Sequence, residues 1–325
     1  IILKNVPTIQ NIEKVAKLGE GGYGDVWESF SKDDGRHVAV KTIKNIAGNV
    51  AMWREFHHEA YLQSQLDHPN LVKLYGICLS PRIGMVMELV KHKSLNMILH
   101  DDERSLTPEM RVRIAYDIGQ AMHYLHCHTP VIMHRDLRSP NVFIRRLDRP
   151  RDHDPIAKLG DFGLARFVAG EMRERLNTWQ WLPPEILDPN SKSYNTASDV
   201  YMFGCVLYEL ETSKLPFDEY FDDKRFHTVS SMSLVNCGQK IENLERAGYV
   251  IHKEENIAMR KEWNRRAIQS AIIDDTLRPT FPMTRDVSPI LSKIAKMSWQ
   301  SYDKRPSFKE ILKDIEASNE YPLSR

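Results

Sequence analysis

Cysteine is scarce in this chain. Its 325 residues hold four, Cys78, Cys127, Cys205 and Cys237, and no two stand in CxxC spacing. That excludes a zinc ribbon or a dithiol redox motif, and scattered thiols of this kind suit a reducing, cytoplasmic setting. Charge of one sign is not in excess either: 45 Lys and Arg stand against 44 Asp and Glu, a net charge of +1. Neutralising nucleic-acid phosphates or an acidic lipid surface needs a cationic surplus, so no nucleic-acid partner is expected. No apolar run reaches the length of about 18 residues that a membrane span needs. Ile1-Ile2-Leu3 gives way at once to Lys4 and Asn5 with no small-residue cleavage site, so no signal peptide is expected. The first residue is Ile rather than Met, as expected of a piece of a longer protein. Glycine and proline, at 15 and 17 residues, are too few for a low-complexity or collagenous chain. Histidine is plentiful, but His57-His58 and the group His123, His126 and His128 lack Cys or acid partners at ligand spacing, so they read as core or surface residues.

What is present is an ordinary globular composition, 42% hydrophobic and 27% charged, long enough for one large domain or two lobes. Residues 12–43 read as strands joined by turns, and "LVKLYGICL" and "IGMVMELV" are two further strand-length runs. Between them, Met52, Phe56, Ala60 and Leu66 recur near helical spacing and predict a helix over 51–66, which Pro69 ends. After residue 93 the pattern is helical. Thr107-Pro108 is a start signal for a helix whose apolar stripe is Ile114, Ile118, Met122 and Leu125. Residues 196–210 are apolar nearly all round and predict a deeply buried helix. Strand-rich and helix-rich parts meet near residues 88–93, which implies two lobes around a ligand cleft. Residues 145–155 read as a charged loop between two short strands, and about 221–263 as a polar, charged insertion.

Four short motifs carry chemistry. Gly19-x-Gly21-x-x-Gly24-x-Val26 lets backbone N–H groups approach phosphate oxygens. Alone it also fits a plain hairpin. A dinucleotide fold would open a helix at the last glycine, whereas Asp25-Val26-Trp27-Glu28 reads as strand. Val38-Ala39-Val40-Lys41 sets a lysine in an apolar strand, and the next helix offers an acid to pair with it. Glu59 lies on that helix's apolar face and is preferred over its rival Glu55, because an inward carboxylate needs a cation. "HRDLRSPN", His134 to Asn141, precedes a strand, and Asp161-Phe162-Gly163 follows one. Asn141 and Asp161 supply oxygen ligands for a hard cation such as Mg2+, and Asp136 remains to take a proton from an attacking hydroxyl.

Together, in this order, the four motifs resemble the protein-kinase family over residues 15–317. The resemblance implies an α+β, bilobal protein-kinase fold: a small β-rich N-lobe at 1–88, a hinge at 89–93 and a larger helical C-lobe at 94–325. It implies ATP and Mg2+ as cofactors and a protein substrate. It makes Asp136 the catalytic base, pairs Lys41 with Glu59 on the phosphates, and gives magnesium to Asn141 and Asp161. Leu18, Val26, Ala39 and Phe143 would enclose adenine, with Met87 as gatekeeper and the backbone of Glu88 and Val90 bonding it. Gly19, Glu20, Gly21, Gly22, Tyr23 and Gly24 would form the loop over the phosphates. Phe162, Gly163, Thr178 and Glu185 fall in the activation and substrate segment. "LPPE" resembles the A-P-E element with Pro183 in place of alanine, Glu185 would pair with Arg305 of "DKRP", and Asp199 would brace the catalytic loop.

The segments "REFHHEAYLQSQLDHPNLVKLYG", "HRDLRSPNVF", "WQWLPPE", "LPFDEY" and "LRPTFP" are similar to the tyrosine-kinase-like group, and within it to Roco and leucine-rich-repeat kinases. That implies a signalling protein with a GTPase module elsewhere in a longer chain, since no G-x-x-x-x-G-K-[ST] occurs here, and leaves room for a homodimer. Thr178, seven residues before Glu185, argues for serine/threonine acceptors. Arg138, where such kinases usually carry lysine, is shared with some tyrosine kinases and keeps a tyrosine or dual-specificity reading open. Lys93 replaces a glycine before Ser94. Gln63 stands where an apolar side chain is usual, is expected to loosen the helix of Glu59, and leaves a catalytically weak kinase-fold scaffold as an alternative. Thr178 is the sole hydroxyl between Asp161 and Glu185, so Glu171 or Glu174 would supply the negative charge that Arg135 otherwise takes from a phosphate.

Overall fold

A computed structural model describes residues 3, 6–20, 24–44, 49–80, 82–101, 105–147, 155–167, 176–191, 194–220, 265–282 and 287–320. The insertion expected at 221–263 and most of the charged loop at 145–155 lie outside the described residues. The chain divides into two compact units, Ile1–Gly170 with Pro306–Arg325, and Glu171–Arg305.

The first unit is built on a five-stranded antiparallel sheet of order β1-β2-β3-β5-β4. Its strands are β1 (Ile12–Glu20), β2 (Gly24–Ser31), β3 (Arg36–Ile43), β4 (Leu74–Cys78) and β5 (Gly84–Glu88). Residues opposite one another across antiparallel strands share a face. Val26 faces Lys41, which faces Met85; Glu28 faces Ala39, which faces Met87. Val26, Ala39, Lys41 and Met87 therefore line one side. Val38, Val40 and Val86 line the other and pack with Cys78 into a separate core. Gly24 closes against β3 so tightly that a Cβ there would fall 1.7 Å from the Thr42 carbonyl oxygen.

Helix α1 (Val50–Ser64) covers the Lys41 face, and its N-terminus is capped by the Asn49 side chain, which accepts from Met52 N at 3.1 Å. Phe56 and Ala60 pack with Val6, Ile77 and Met85. Fully burying an aliphatic or aromatic side chain contributes about 1.5–3 kcal/mol, which is ample to seat this helix. The helix ends two residues before Leu66, which is itself buried.

Beyond the short α2 (Leu95–Leu99), α3 (Pro108–Cys127) starts where Thr107-Pro108 predicts. Thr107 accepts from Met110 N, and Ile114, Ile118, Met122 and Leu125 are all buried. β6 (Ile132–Met133) pairs with β9 (Arg166–Phe167), and β7 (Val142–Ile144) with β8 (Ala157–Leu159). Asp117 of α3 ties this region together, accepting from Arg113 Nε at 2.9 Å and from the N–H groups of Ile156 and Ala157 at 2.8 and 3.0 Å. A C-terminal helix, labelled α7 (Phe308–Glu316), opens with a Ser307/Glu310 capping box and packs on α3.

The second unit contains α4 (Pro184–Leu187), α5 (Thr196–Thr212) and α6 (Pro289–Ser298). α5 is buried along nearly its whole circumference, as its composition predicts. α6 crosses it at Gly204, where a Cβ would meet the Ser298 Cβ at 2.8 Å. Among the described residues no helix is long and apolar enough to cross a membrane.

Candidate active site

A lysine on a sheet face covered by a helix needs an anionic partner, and the fold supplies two. Lys41 Nζ lies 2.6 Å from Glu59 Oε1 and 3.0 Å from Asp161 Oδ1. Burial alone would drive the Lys41 ammonium toward neutrality. The carboxylates of Asp161 and Glu59 more than offset it and hold its pKa above the ordinary lysine value. The same ammonium is the largest influence on Asp161 and holds that carboxyl below its ordinary value. Both groups are therefore ionised at neutral pH. Glu55, the rival to Glu59, pairs instead with Arg166 at 2.7 Å.

The loop from His134 to Asn141 ends in a 3₁₀ turn, Ser139–Asn141, that runs into β7. Asp136 is 4% exposed. Arg138 Nε donates to its Oδ1 at 3.1 Å, while Asn141 Nδ2 donates to its Oδ2 at 3.0 Å and to its backbone carbonyl at 2.7 Å. The Asp136 N–H donates to His134 Nδ1 at 3.3 Å, and His134 Nε2 meets the Gly160 carbonyl at 3.2 Å, so the Nε2–H tautomer satisfies both. Burial is the largest influence on the Asp136 carboxyl and raises it above its ordinary value, against Arg138 and with the Asp161 charge.

Pairing of β7 with β8 brings the end of the His134–Asn141 loop beside Asp161. Val142 faces Leu159, and Gly160 N donates to the Asn141 carbonyl at 3.0 Å. Asp161 and Arg135 take left-handed backbone angles, φ +59° and +68°. Such strain in non-glycine residues costs of order 1–3 kcal/mol each and persists where the surroundings over-determine it. The oxygens Asn141 Oδ1 and Asp161 Oδ2 take no part in the contacts above. They are hard donors of the type a divalent cation prefers, so the residues fit such an ion. Among the described residues no three His, Cys, Asp or Glu side chains cluster as metal ligands, so a cation here would complete its shell with phosphate or water.

The other expected positions fall as follows. Val26, Ala39 and Met87 share the Lys41 face, and Phe143 is half-buried on β7. Leu18 sits at a register shift in β1 and is half exposed. Glu20 pairs with Lys17 at 2.8 Å and with Lys44. Gly19 and Gly24 lie on β1 and β2, and Gly21, Gly22 and Tyr23 lie outside the described residues. Glu88 closes β5 and Val90 follows it. Phe162 is wholly buried, edge-on to the His134 ring with centroids 5.4 Å apart. Gly163 N donates to Asp161 Oδ1 at 3.4 Å. Thr178 falls in the 3₁₀ helix Leu176–Trp181, and the expectations on its side chain, and on Glu171 and Glu174, lie outside the described residues.

In the second unit, Arg305 grips Glu185 bidentately, NH1 to Oε1 at 2.6 Å and NH2 to Oε2 at 2.9 Å. Ser198 Oγ donates to the same carboxylate at 2.9 Å. Asp199 is fully buried at the start of α5 and accepts from the Tyr194 hydroxyl.

Three contacts around the site go beyond the motifs. Lys158, in the strand-like "IAKLG", pairs with Glu88 at 2.9 Å. His58 Nε2 meets the Ala165 carbonyl at 3.0 Å, and Arg166, which braces the carbonyls of Gly163 and Ala165, pairs with Glu55, so α1 is clasped to the segment after Asp161. Gln63 does not dangle. It is 2% exposed and donates to the Val72 carbonyl at 2.9 Å.

What the arrangement can do is hold a polyanion between a lysine and a cation-binding pair of oxygens, beside a buried carboxylate poised for proton transfer. Comparison with known proteins supplies the family. The protein kinase domain family matches residues 12–315. A probable serine/threonine-protein kinase, qkgA of Dictyostelium discoideum, is 30% identical over 97% of this chain and 19% of its own length. From the same organism, the probable serine/threonine-protein kinases roco5 and roco11 are 37% and 30% identical over 65% and 96% of the chain, and 8% and 18% of their own lengths. The chain thus spans less than a fifth of the length of these curated relatives. With the β-rich N-terminal part and helical C-terminal part of the bilobal α+β kinase fold, the chain belongs to the protein kinase family and is similar to its Roco members.

Proposed function

We propose that this chain is the kinase domain of a larger signalling protein and transfers the terminal phosphate of ATP to serine or threonine hydroxyls of protein substrates. The observation that carries the reading is Lys41, held by Glu59 and Asp161 within 3.0 Å, in the same unit as an Asp136 buried under Arg138 and Asn141.

Use of ATP with a divalent cation goes with the family. Magnesium suits the hard oxygens of Asn141 and Asp161, and when bound it would neutralise phosphate charge. Lys41 orients the α- and β-phosphates, and Glu59 keeps its ammonium in place. The glycine-loop amides from Gly19 to Gly24 cover the phosphates, while Leu18, Val26, Ala39, Met87 and Phe143 enclose adenine and the backbone of Glu88 and Val90 bonds it. The acceptor oxygen attacks the γ-phosphorus, the bond to the β-phosphate oxygen breaks, and ADP leaves with that oxygen. Asp136 takes the hydroxyl proton. Arg138 and Asn141 fix its carboxylate, and positioned acid–base groups of this kind are worth about 10²–10⁴ in rate. Residues 1–88, 89–93 and 94–325 serve as N-lobe, hinge and C-lobe, with Thr178 toward the substrate and Glu185 anchoring that segment through Arg305. The resemblance to Roco kinases supports a GTPase module elsewhere in the longer chain and a cytoplasmic setting.

One observation keeps tyrosine acceptors in view: Arg138, the residue type that some tyrosine kinases carry at this position, contacts the Asp136 carboxylate directly. Phosphoamino-acid analysis of a generic protein substrate labelled from γ-labelled ATP decides. Phosphoserine or phosphothreonine is expected. Phosphotyrosine alone would overturn the acceptor assignment, and no label from folded, ATP-binding protein would overturn the enzyme reading in favour of a scaffold.

A further inference from the structure

Gln63 breaks the pattern of its helix. It lies one turn after Glu59 on α1 and is 2% exposed, so a primary amide has been carried into the packed face between helix and sheet. An amide taken out of water without partners is costly, and a methyl-bearing side chain would fill the space without that cost. The amide is spent on a particular acceptor. Its Nε2 donates to the Val72 carbonyl at 2.9 Å and touches Met87 Sδ at 3.8 Å.

Val72 is itself a bridge. Its N–H donates to the Leu159 carbonyl at 2.9 Å, and its neighbour Leu71 forms an isolated parallel bridge with Leu159. Leu159 is the last residue of β8, two before Asp161. A path of hydrogen bonds thus runs from the α1 side chain, across the backbone of the single residue Val72 in the segment before β4, to the strand that delivers Asp161. Glu59, one turn back on the same helix, and Asp161 are the two acids that hold Lys41. Rotation or withdrawal of α1 would break the Gln63 bond and strand a buried carbonyl as well as separate Glu59 from Lys41.

We infer that Gln63 is a positioning residue: its amide registers α1 against the Asp161 strand, so that Glu59 and Asp161 meet Lys41 together. This rests on the kinase reading and reverses the expectation that a polar residue here loosens the helix. An apolar side chain can fill the same space, but it slides along its neighbours. A hydrogen bond to one carbonyl fixes rotation and height.

The test uses Gln63→Met, which keeps volume and removes the donor, alongside Gln63→Leu in case the first variant fails to fold. Two measurements are made: phosphotransfer kinetics per folded molecule, and amide hydrogen exchange followed by mass spectrometry on peptides of α1, β3 and β5. A register role predicts turnover lower by about fivefold or more, the factor a single net hydrogen bond commands. It also predicts faster exchange in α1 alone by a similar factor, with the β3 and β5 peptides unchanged. Equal or higher turnover in the variants, or exchange that rises uniformly across all three peptides, overturns the inference. A wild-type protein that binds ATP but transfers nothing overturns the kinase reading instead, and the exchange pattern still decides the register role.

Discussion

Two ion-paired regions of this molecule use the same chemistry to opposite ends. In the second unit, Arg305 and Glu185 meet bidentately with side chains 1% and 11% exposed, and Ser198 and the Ala197 carbonyl occupy further sites on the two groups. In the first unit, Lys41 divides one ammonium between two carboxylates, and Asp161 keeps 35% of its side chain exposed. The first arrangement is closed and has nothing left to offer a ligand. The second retains solvent access at Asp161, and under the proposed function its members would exchange partners when a polyanion arrives. Saturation marks the structural pair, and incomplete saturation under strained backbone marks the site.

That contrast can be broken by substitution. Arg305→Ala strands a buried carboxylate and is expected to cost about 3–5 kcal/mol of stability in chemical denaturation, while turnover per folded molecule is largely kept. Lys41→Met should do the reverse. Transfer is expected to fall by about 10²–10³, the range for removing one preorganised charge-stabilising donor, with a smaller loss of thermal stability than Arg305→Ala. If Lys41→Met proves the more damaging to folding, the distinction between lock and site is wrong. Asp136→Asn is expected to lower turnover by at least about 100-fold in steady-state assay.

The pH behaviour sharpens the contrast further. Burial raises the Asp136 carboxyl, so the folded state binds its proton at higher pH than the unfolded chain does. Its charge therefore opposes folding once pH climbs through the folded value, and Asp136→Asn should leave thermal stability at pH 7 unchanged or raised. For the same reason the acid limb of the rate–pH profile should fall above the ordinary aspartate value. Asp161 behaves oppositely. Lys41 lowers its carboxyl, so its contribution to stability is present above the ordinary value and is lost only as pH falls through the depressed one. An Asp161→Asn variant should flatten acid denaturation at the low end of the titration. The smallest effect belongs to the network of Lys17, Glu20, Asp25 and Lys44 at the glycine hairpin, where Glu20 is 60% exposed. Lys17→Ala should lower the melting temperature least of these variants, and the loss should vanish in high salt.

Much of this was legible in the residues themselves. Thr107-Pro108 marks the start of α3, and all-round apolarity marks α5 as buried, because both signals are local. Glu59 could be preferred to Glu55 from its helix face alone, and the two carboxylates do find different cations, Lys41 and Arg166. The partners of Gln63 and Lys158 were not legible. Each is set by a contact between distant segments, Gln63 with Val72 and Lys158 with Glu88, and neither period nor composition encodes which carbonyl or carboxylate will lie opposite. Gln63 shows the cost of reading a polar residue by its class: inside a packed face, the amide is held by its acceptor.

Under the proposed function Lys41, Asp136 and Asp161 serve one bound nucleotide, with Asp136 acting on the acceptor hydroxyl rather than on ATP. Titration of ATP with magnesium into wild type and Asp136→Asn, paired with single-turnover transfer to a protein substrate, tests it most directly. Affinities within about twofold of each other, with transfer lost by at least about 100-fold in the variant, are the predicted result. Transfer at the wild-type rate by Asp136→Asn would contradict it.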